Sequence, residues 1–145
     1  MTLQPATERD TALIVAIAQS SDDSLLPDSA IAHCINQQQL MLVVEGGQPI
    51  GFIAEKIILD EAELLQVVIG ADYRKSGRAT EALYSWHQYL AQREVKQVFL
   101  EVREGNEAAL RLYEKLGYTK IGVRKNYYVI AGVKYNALLM QKTLC

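Results

Sequence analysis

Residues 67–80, VVIGADYRKSGRAT, constrain the fold of this chain more than any other stretch. An apolar, β-favouring run passes through a short Arg/Lys/Ser/Gly loop and straight into a helical pattern. At such a junction the first backbone N–H groups of the helix have no intrahelical acceptors, and the helix dipole adds partial positive charge, so a pyrophosphate suits it. Gly77 lets the backbone approach the oxygens, Ala79 is small enough not to block them, and Arg74, Lys75 and Arg78 add cationic reach. Two readings stand on chemistry alone: a phosphate-binding loop, or an ordinary glycine-containing turn with solvated cations.

The rest of the chain frames that junction. Its three prolines, Pro5, Pro27 and Pro49, all fall in the first third, so glycine supplies the later punctuation. A short strand is predicted around Leu3, and Leu13, Ile14, Ile17 and Ala18 mark a helix over 8–18. A second helix starts after Pro27, with Asp28 or Ser29 near its N-terminus and Ile31, Cys34 and Ile35 as its apolar stripe. Leu40 to Val44 and Ile50 to Leu59 form a hairpin about Gly46-Gly47, and after a turn at Asp60-Glu61 a third strand runs from Leu64 to Ile69. Gly77 opens a helix whose Ala79, Leu83, Trp86 and Leu90 share a face. Then come a strand from Val98 to Val102 and a helix capped by Asn106 and stopped at Gly117. Last are two strands, Thr119 to Tyr128 and Tyr135 to Lys142, joined at Ala131-Gly132. The order is α+β in three layers, with a mixed, mostly antiparallel sheet and about four helices.

At 145 residues the chain is long enough to bury a core as a single domain, 1–145. Its 15 Lys and Arg are outnumbered by 17 Asp and Glu, which disfavours a protein that neutralises nucleic-acid phosphates; any anion site must be local. Cys34 and Cys145 stand in no CxxC or CxxH pattern, and His33 and His87 are remote from each other and from acidic pairs, so no metal is expected. The opening MTLQPATERD lacks a signal peptide's basic head and apolar run, and no apolar stretch approaches the roughly 18 residues of a membrane span. These features lead us to expect a cytoplasmic protein.

Glu101 interrupts the apolar run Val98, Phe99, Leu100, Val102, where a carboxylate is costly unless paired or used. A salt bridge and a proton-accepting role are both open at this point. Asn106 reads as a helix N-cap and also as a polar group free to meet a ligand. Tyr113, seven residues on and two turns away, faces roughly the same way, and helical spacing suits core packing as well as chemistry. Ser76 has no nearby histidine to activate it as a nucleophile. Tyr127 and Tyr128 are open to packing or to lining a cleft.

The spacing Arg74-x-x-Gly77-x-Ala79 resembles the coenzyme A pyrophosphate loop of the GNAT superfamily of N-acetyltransferases. LEVREGNEAALRLYEKLGY (100–118) and RKNYY (124–128) are similar to one branch of it, the RimI-like ribosomal-protein alanine acetyltransferases. That resemblance implies a sheet that splays between the strand of Val67, Val68 and Ile69 and that of Val98 to Val102, with acetyl-CoA in the gap. It implies pantetheine pairing with the backbone of Val67, Val68 and Ile69, pyrophosphate on the amides from Lys75 through Ser76, Gly77, Arg78 and Ala79 to Thr80, and Asn106 on the coenzyme arm. Glu101 matches the general base and Tyr113 the proton donor to the departing thiolate. The implied acceptor is a protein N-terminal amine, that of an alanine-starting small-subunit ribosomal protein, and the expected state is a monomer or weak dimer without nucleic-acid or membrane partners.

Three positions depart from the pattern. Leu26-Pro27-Asp28 stands where relatives often carry Pro-Trp, Ala71 replaces a usual loop proline, and Arg78 takes an often aliphatic place. The first bears on the peptide groove and so on the acceptor; a lysine side chain or a small amine is the alternative acceptor, and a non-catalytic coenzyme A-binding regulator that keeps the fold is the rival of another class. Neither loop change, at Ala71 or Arg78, removes the backbone amides on which cofactor binding would rest.

Overall fold

The computed structural model describes residues 1–20, 27–74 and 76–144. Leu26, Lys75 and Cys145, which entered the reading above, lie outside them. Among the described residues seven strands form one sheet: β1 (Thr2–Pro5), β2 (Leu40–Glu45), β3 (Gln48–Ile58), β4 (Glu61–Ile69), β5 (Gln97–Arg103), β6 (Thr119–Ile130) and β7 (Val133–Thr143). Their spatial order is β1-β2-β3-β4-β5-β7-β6, antiparallel throughout except for the parallel pair β4–β5.

Helices α1 (Thr11–Gln19), preceded by a 3-10 turn at Glu8–Asp10, and α2 (Asp28–Asn36) cover one face. They bury Ile14, Ile17, Ile31, Cys34 and Ile35 against Leu40, Leu42, Val44, Phe52 and Val68. Helices α3 (Arg78–Gln92) and α4 (Glu107–Lys115) cover the other, where Leu83, Trp86 and Leu90 meet Val98, Leu100, Val102 and Met140. The α+β expectation holds, with helices on both faces of a mostly antiparallel sheet.

Several boundaries differ from the sequence reading for identifiable reasons. Leu59 takes the left-handed turn position at φ 57°, so β4 begins at Glu61 and pairs at once with Gln97. The last hairpin runs further than expected, because Val129 and Ile130 pair with Lys134 and Val133 across Ala131 and Gly132, both at positive φ. Between β4 and α3 a 3-10 turn at Ala71–Tyr73 replaces plain loop.

The feature that shapes the site is a bulge in β4. Against β3, Glu55 pairs with Leu64 and Ala54 with Gln66, which leaves Leu65 as an extra residue. Because side chains alternate, one extra residue inverts every position after it. Ala62 and Leu64 therefore face α3 and α4 before the bulge, whereas after it Val67 and Ile69 do so and Val68 joins the α1–α2 core. The parallel ladder with β5 ends beside the bulge, at Leu64 and Leu100, while β4 continues to Ile69 and β5 to Arg103. From there the two strands separate.

Candidate active site

The end of the ladder leaves a gap between β4 and β5, and Val67, Val68 and Ile69, singled out in the sequence, lie on its β4 side. On β4, Val67, Val68 and Ile69 are held from one side by β3 through Ile53, Phe52 and Gly51, and the side toward β5 carries no ladder. Gly51 makes this pairing possible: a Cβ there would lie 2.3 Å from the Val68 carbonyl oxygen. The gap thus presents main-chain groups of β4 to any extended ligand that can pair with them.

At the end of β4 the chain turns through Ala71–Tyr73 to Gly77, which caps α3 at φ 75° and ψ 10°, a left-handed conformation that favours glycine. Arg78, Ala79 and Thr80 form the first turn of α3, where N–H groups are orphaned by geometry. Ser76 Oγ donates to the Tyr73 carbonyl at 3.1 Å. The Arg78 guanidinium turns back from the loop: Nε binds Glu45 Oε2 at 2.8 Å and Nη1 donates to the Tyr73 carbonyl. Arg74 Nε reaches the Ile69 carbonyl at 3.5 Å. In this structure the Arg78 charge is balanced by Glu45, and the groups Arg78 leaves for an anion are those of its backbone.

Glu101 and Tyr113 stand on opposite faces of the sheet. On β5, Val98, Leu100 and Val102 point into the α3–α4 core, so Phe99 and Glu101 point the other way, beyond the cover of α1 and α2. There a cleft of about 310 Å³ is lined by Lys56, Glu63, Phe99, Glu101, Ile121 and Arg124, among others. Arg124 Nε lies 3.4 Å from Glu101 Oε1 in a pair open to solvent. The salt-bridge reading of Glu101 is therefore realised, in a cleft and not in a packed interior. Tyr128 is near enough to feel that carboxylate, for burial first and the Glu101 charge second push its hydroxyl above the ordinary tyrosine value.

Tyr113 lies in α4 on the far side, 9% exposed, with its ring edge-on to Tyr118 at 5.6 Å between centroids. Burial pushes its hydroxyl up to about 12, so it remains protonated through the physiological range. Asn106 caps α4, its carboxamide oxygen accepting from the Ala109 N–H at 3.2 Å. Its N-cap role is thus met with one half of the side chain, leaving the amide nitrogen available as a donor.

Sequence reasoning did not find the groups that support this arrangement. Tyr118 binds His87 Nε2 through its hydroxyl at 2.7 Å, and burial, then the Lys142 charge, lowers the His87 pKa to about 4. Glu55, almost fully buried on β3, accepts from Trp86 Nε1 at 3.2 Å, and burial pushes its carboxyl upward. A signal for His87 was present in the sequence: it stands four residues after Leu83 and three before Leu90, on the buried face of α3.

Residues 12–118 match the model of the acetyltransferase (GNAT) family. The chain is 33% identical over 98 residues to the [ribosomal protein bS18]-alanine N-acetyltransferase of Escherichia coli strain K12, a stretch covering 68% of this chain and 66% of that relative, just under two thirds of its length. The crystal structure of the Escherichia coli ribosomal-protein-S18-alanine N-acetyltransferase superposes with a TM-score of 0.88 at 27% identity, over 99% of this chain and 93% of that one. A Salmonella typhimurium structure, yncA with its cofactor acetyl-CoA, shares the fold at a TM-score of 0.79 and 18% identity, over 100% of this chain and 94% of that one.

Proposed function

The chain belongs to the acetyltransferase (GNAT) family, and from that premise we propose that it transfers an acetyl group from acetyl-CoA to a protein N-terminal amine, that of an alanine-starting small-subunit ribosomal protein. The single observation that carries this reading is the end of the β4–β5 ladder at Leu64 and Leu100, immediately before Glu101, which faces the cleft side of the sheet while Tyr113 belongs to the α3–α4 core on the other. A packed, continuous sheet would leave neither group anything to act on.

The residues present fit the cofactor. The ladder-free side of Val67, Val68 and Ile69 suits the amides of a pantetheine arm, and the start of α3 after Gly77 suits its pyrophosphate. The Asn106 amide nitrogen is free to donate to the same arm. When bound, acetyl-CoA supplies an acyl group activated as a thioester.

The remaining work falls to side chains. An α-amine has an ordinary pKa of about 7.7–8.0, so Glu101, directly or through one water, removes a proton from the incoming ammonium near neutral pH. The freed amine attacks from the cleft side of the sheet. Tyr113, held protonated by burial, donates from the α4 side toward the departing sulfur. Acceptor and leaving group are thereby served from opposite faces without competing for space. In this reading residues 1–145 act as one N-acetyltransferase domain in the cytoplasm, as a monomer or weak dimer.

The experiment is a thiol-release assay with acetyl-CoA and a panel of N-terminal peptides, internal-lysine peptides and polyamines. Release with an alanine-starting ribosomal peptide, and weak release with the others, is the expected result. Cofactor binding without thiol release for any acceptor would favour a coenzyme A-binding regulator and sink the enzymatic reading.

A further inference from the structure

Asn136, on β7, joins two parts of the site that the chain separates by many residues. The β6–β7 ladder pairs Arg124 with Ala137 and then Tyr128 with Tyr135, so Lys125, Asn126 and Tyr127 all stand opposite the single residue Asn136. Such a wide bulge deprives its own backbone of ladder partners. Asn126, at its centre, takes a left-handed φ of 55°.

The Asn136 side chain supplies what the ladder lacks. Its Oδ1 accepts from the Asn126 N–H at 2.9 Å, and its Nδ2 donates to Glu104 Oε2 at 2.9 Å. Its main-chain carbonyl accepts from the Glu104 N–H at 2.8 Å. Glu104 belongs to the turn between β5 and α4, where the Asn106 N–H returns to the Arg103 carbonyl. One carboxamide therefore ties the β6 bulge to the turn that delivers Asn106.

The bulge continues directly from Arg124, which lines the cleft beside Glu101. Arg124 leaves its near end toward the carboxylate and stacks over the Tyr127 ring at 5.2 Å, and Tyr127 meets Tyr128 edge-on at 5.1 Å. We propose that Asn136 is a positioning residue for the acceptor: by clamping the β6 bulge to the β5–α4 turn, it holds Arg124, Tyr127 and Tyr128 as the wall against which a polypeptide N-terminus is aligned with Glu101. This rests on the function proposed above. The role requires a carboxamide, since the position needs an acceptor toward Asn126 and a donor toward Glu104 at once.

That requirement supplies the test. Asn136→Asp keeps the acceptor but sets a carboxylate against Glu104, and adding Glu104→Gln restores a donor to the pair from the other side. The KM for the acceptor peptide is expected to rise about tenfold in Asn136→Asp, the scale of one lost hydrogen bond, with kcat close to wild type. The double variant is expected to recover most of it. Amide hydrogen exchange at Asn126, protected in the wild type and faster in Asn136→Ala, reads the clamp without turnover. An unchanged acceptor KM with normal wild-type activity, no recovery in the double variant, or unchanged exchange at Asn126 would overturn the clamp alone. A wild-type protein that acetylates no acceptor would overturn the clamp's purpose together with the proposed function.

Discussion

Arg124 stands 3.4 Å from Glu101 across the cleft, with 55% of the arginine side chain and 21% of the glutamate exposed. A pair this open to solvent contributes about 0–1 kcal/mol, so in the proposed function an incoming ammonium would share or take over the Glu101 carboxylate at little cost. Arg124→Gln is therefore expected to change stability by less than about 1 kcal/mol in thermal or denaturant unfolding. Glu101→Gln is expected to lower kcat by about 10²–10⁴-fold while acetyl-CoA affinity is kept. A loss of about 3–5 kcal/mol in Arg124→Gln would mark the pair as a buried structural bridge and remove Glu101 from the chemistry.

Tyr113 is held protonated by burial, with its hydroxyl pushed up to about 12. The pH–rate profile of the wild type should consequently show no fall attributable to this group at pH 9 to 10, where an exposed tyrosine of pKa about 10 begins to ionise. Tyr113→Phe should reduce kcat across the whole range. An alkaline limb near the ordinary tyrosine value that disappears in Tyr113→Phe would contradict the buried geometry.

Gly51 and Gly77 shape the two cofactor-facing segments for different reasons, and alanine at each separates them. At Gly51 the new Cβ would meet the Val68 oxygen at 2.3 Å and the Ile69 Cα at 3.2 Å, both backbone, so β3 and β4 must move apart. Gly51→Ala is expected to cost about 1–3 kcal/mol of stability and to weaken acetyl-CoA binding through the displaced Val67–Ile69 edge. At Gly77 nothing lies within 4 Å, and the cost comes only from φ 75°, about 1–2 kcal/mol. Asparagine, which tolerates that conformation better, should be milder than alanine at 77 and no better at 51. Equal effects at the two sites in unfolding and cofactor titration would refute the distinction.

His87 is expected to make the fold acid-sensitive. Its pKa falls from the ordinary 6.5 to about 4 on folding, because burial and then the Lys142 charge disfavour the imidazolium. Between those values the unfolded chain binds the additional proton, so stability rises with pH there. The His87 contribution is complete above pH 6.5 and is lost as pH falls toward 4, a change of about 3 kcal/mol at most from this group. Denaturant unfolding at pH 7.5, 6 and 5 should show that slope in the wild type and a shallower one in His87→Gln. Parallel slopes in the two proteins would show that His87 is not the group responsible.

The helix that begins after Gly77, the Asn106 cap, the stripe of Leu83, Trp86 and Leu90, and the hairpin at Ala131-Gly132 were readable because each depends on neighbours a few residues away. Glu101 was visible as a carboxylate in an apolar strand for the same reason, but its partner was not. Arg124 reaches it only because β6 slips against β7, a displacement set by pairing between residues distant in sequence.

The amino-acid sequence by itself determined which elements form and which groups are chemically capable, since periodicity, capping and left-handed glycine positions are local properties. Tertiary structure decided which face each group serves. One additional residue at Leu65 inverts the end of β4 and ends its ladder with β5, and β5 turns Glu101 away from the core that holds Tyr113. Registers of this kind are set by the balance of strand pairing against packing on two faces, which no short window of sequence contains.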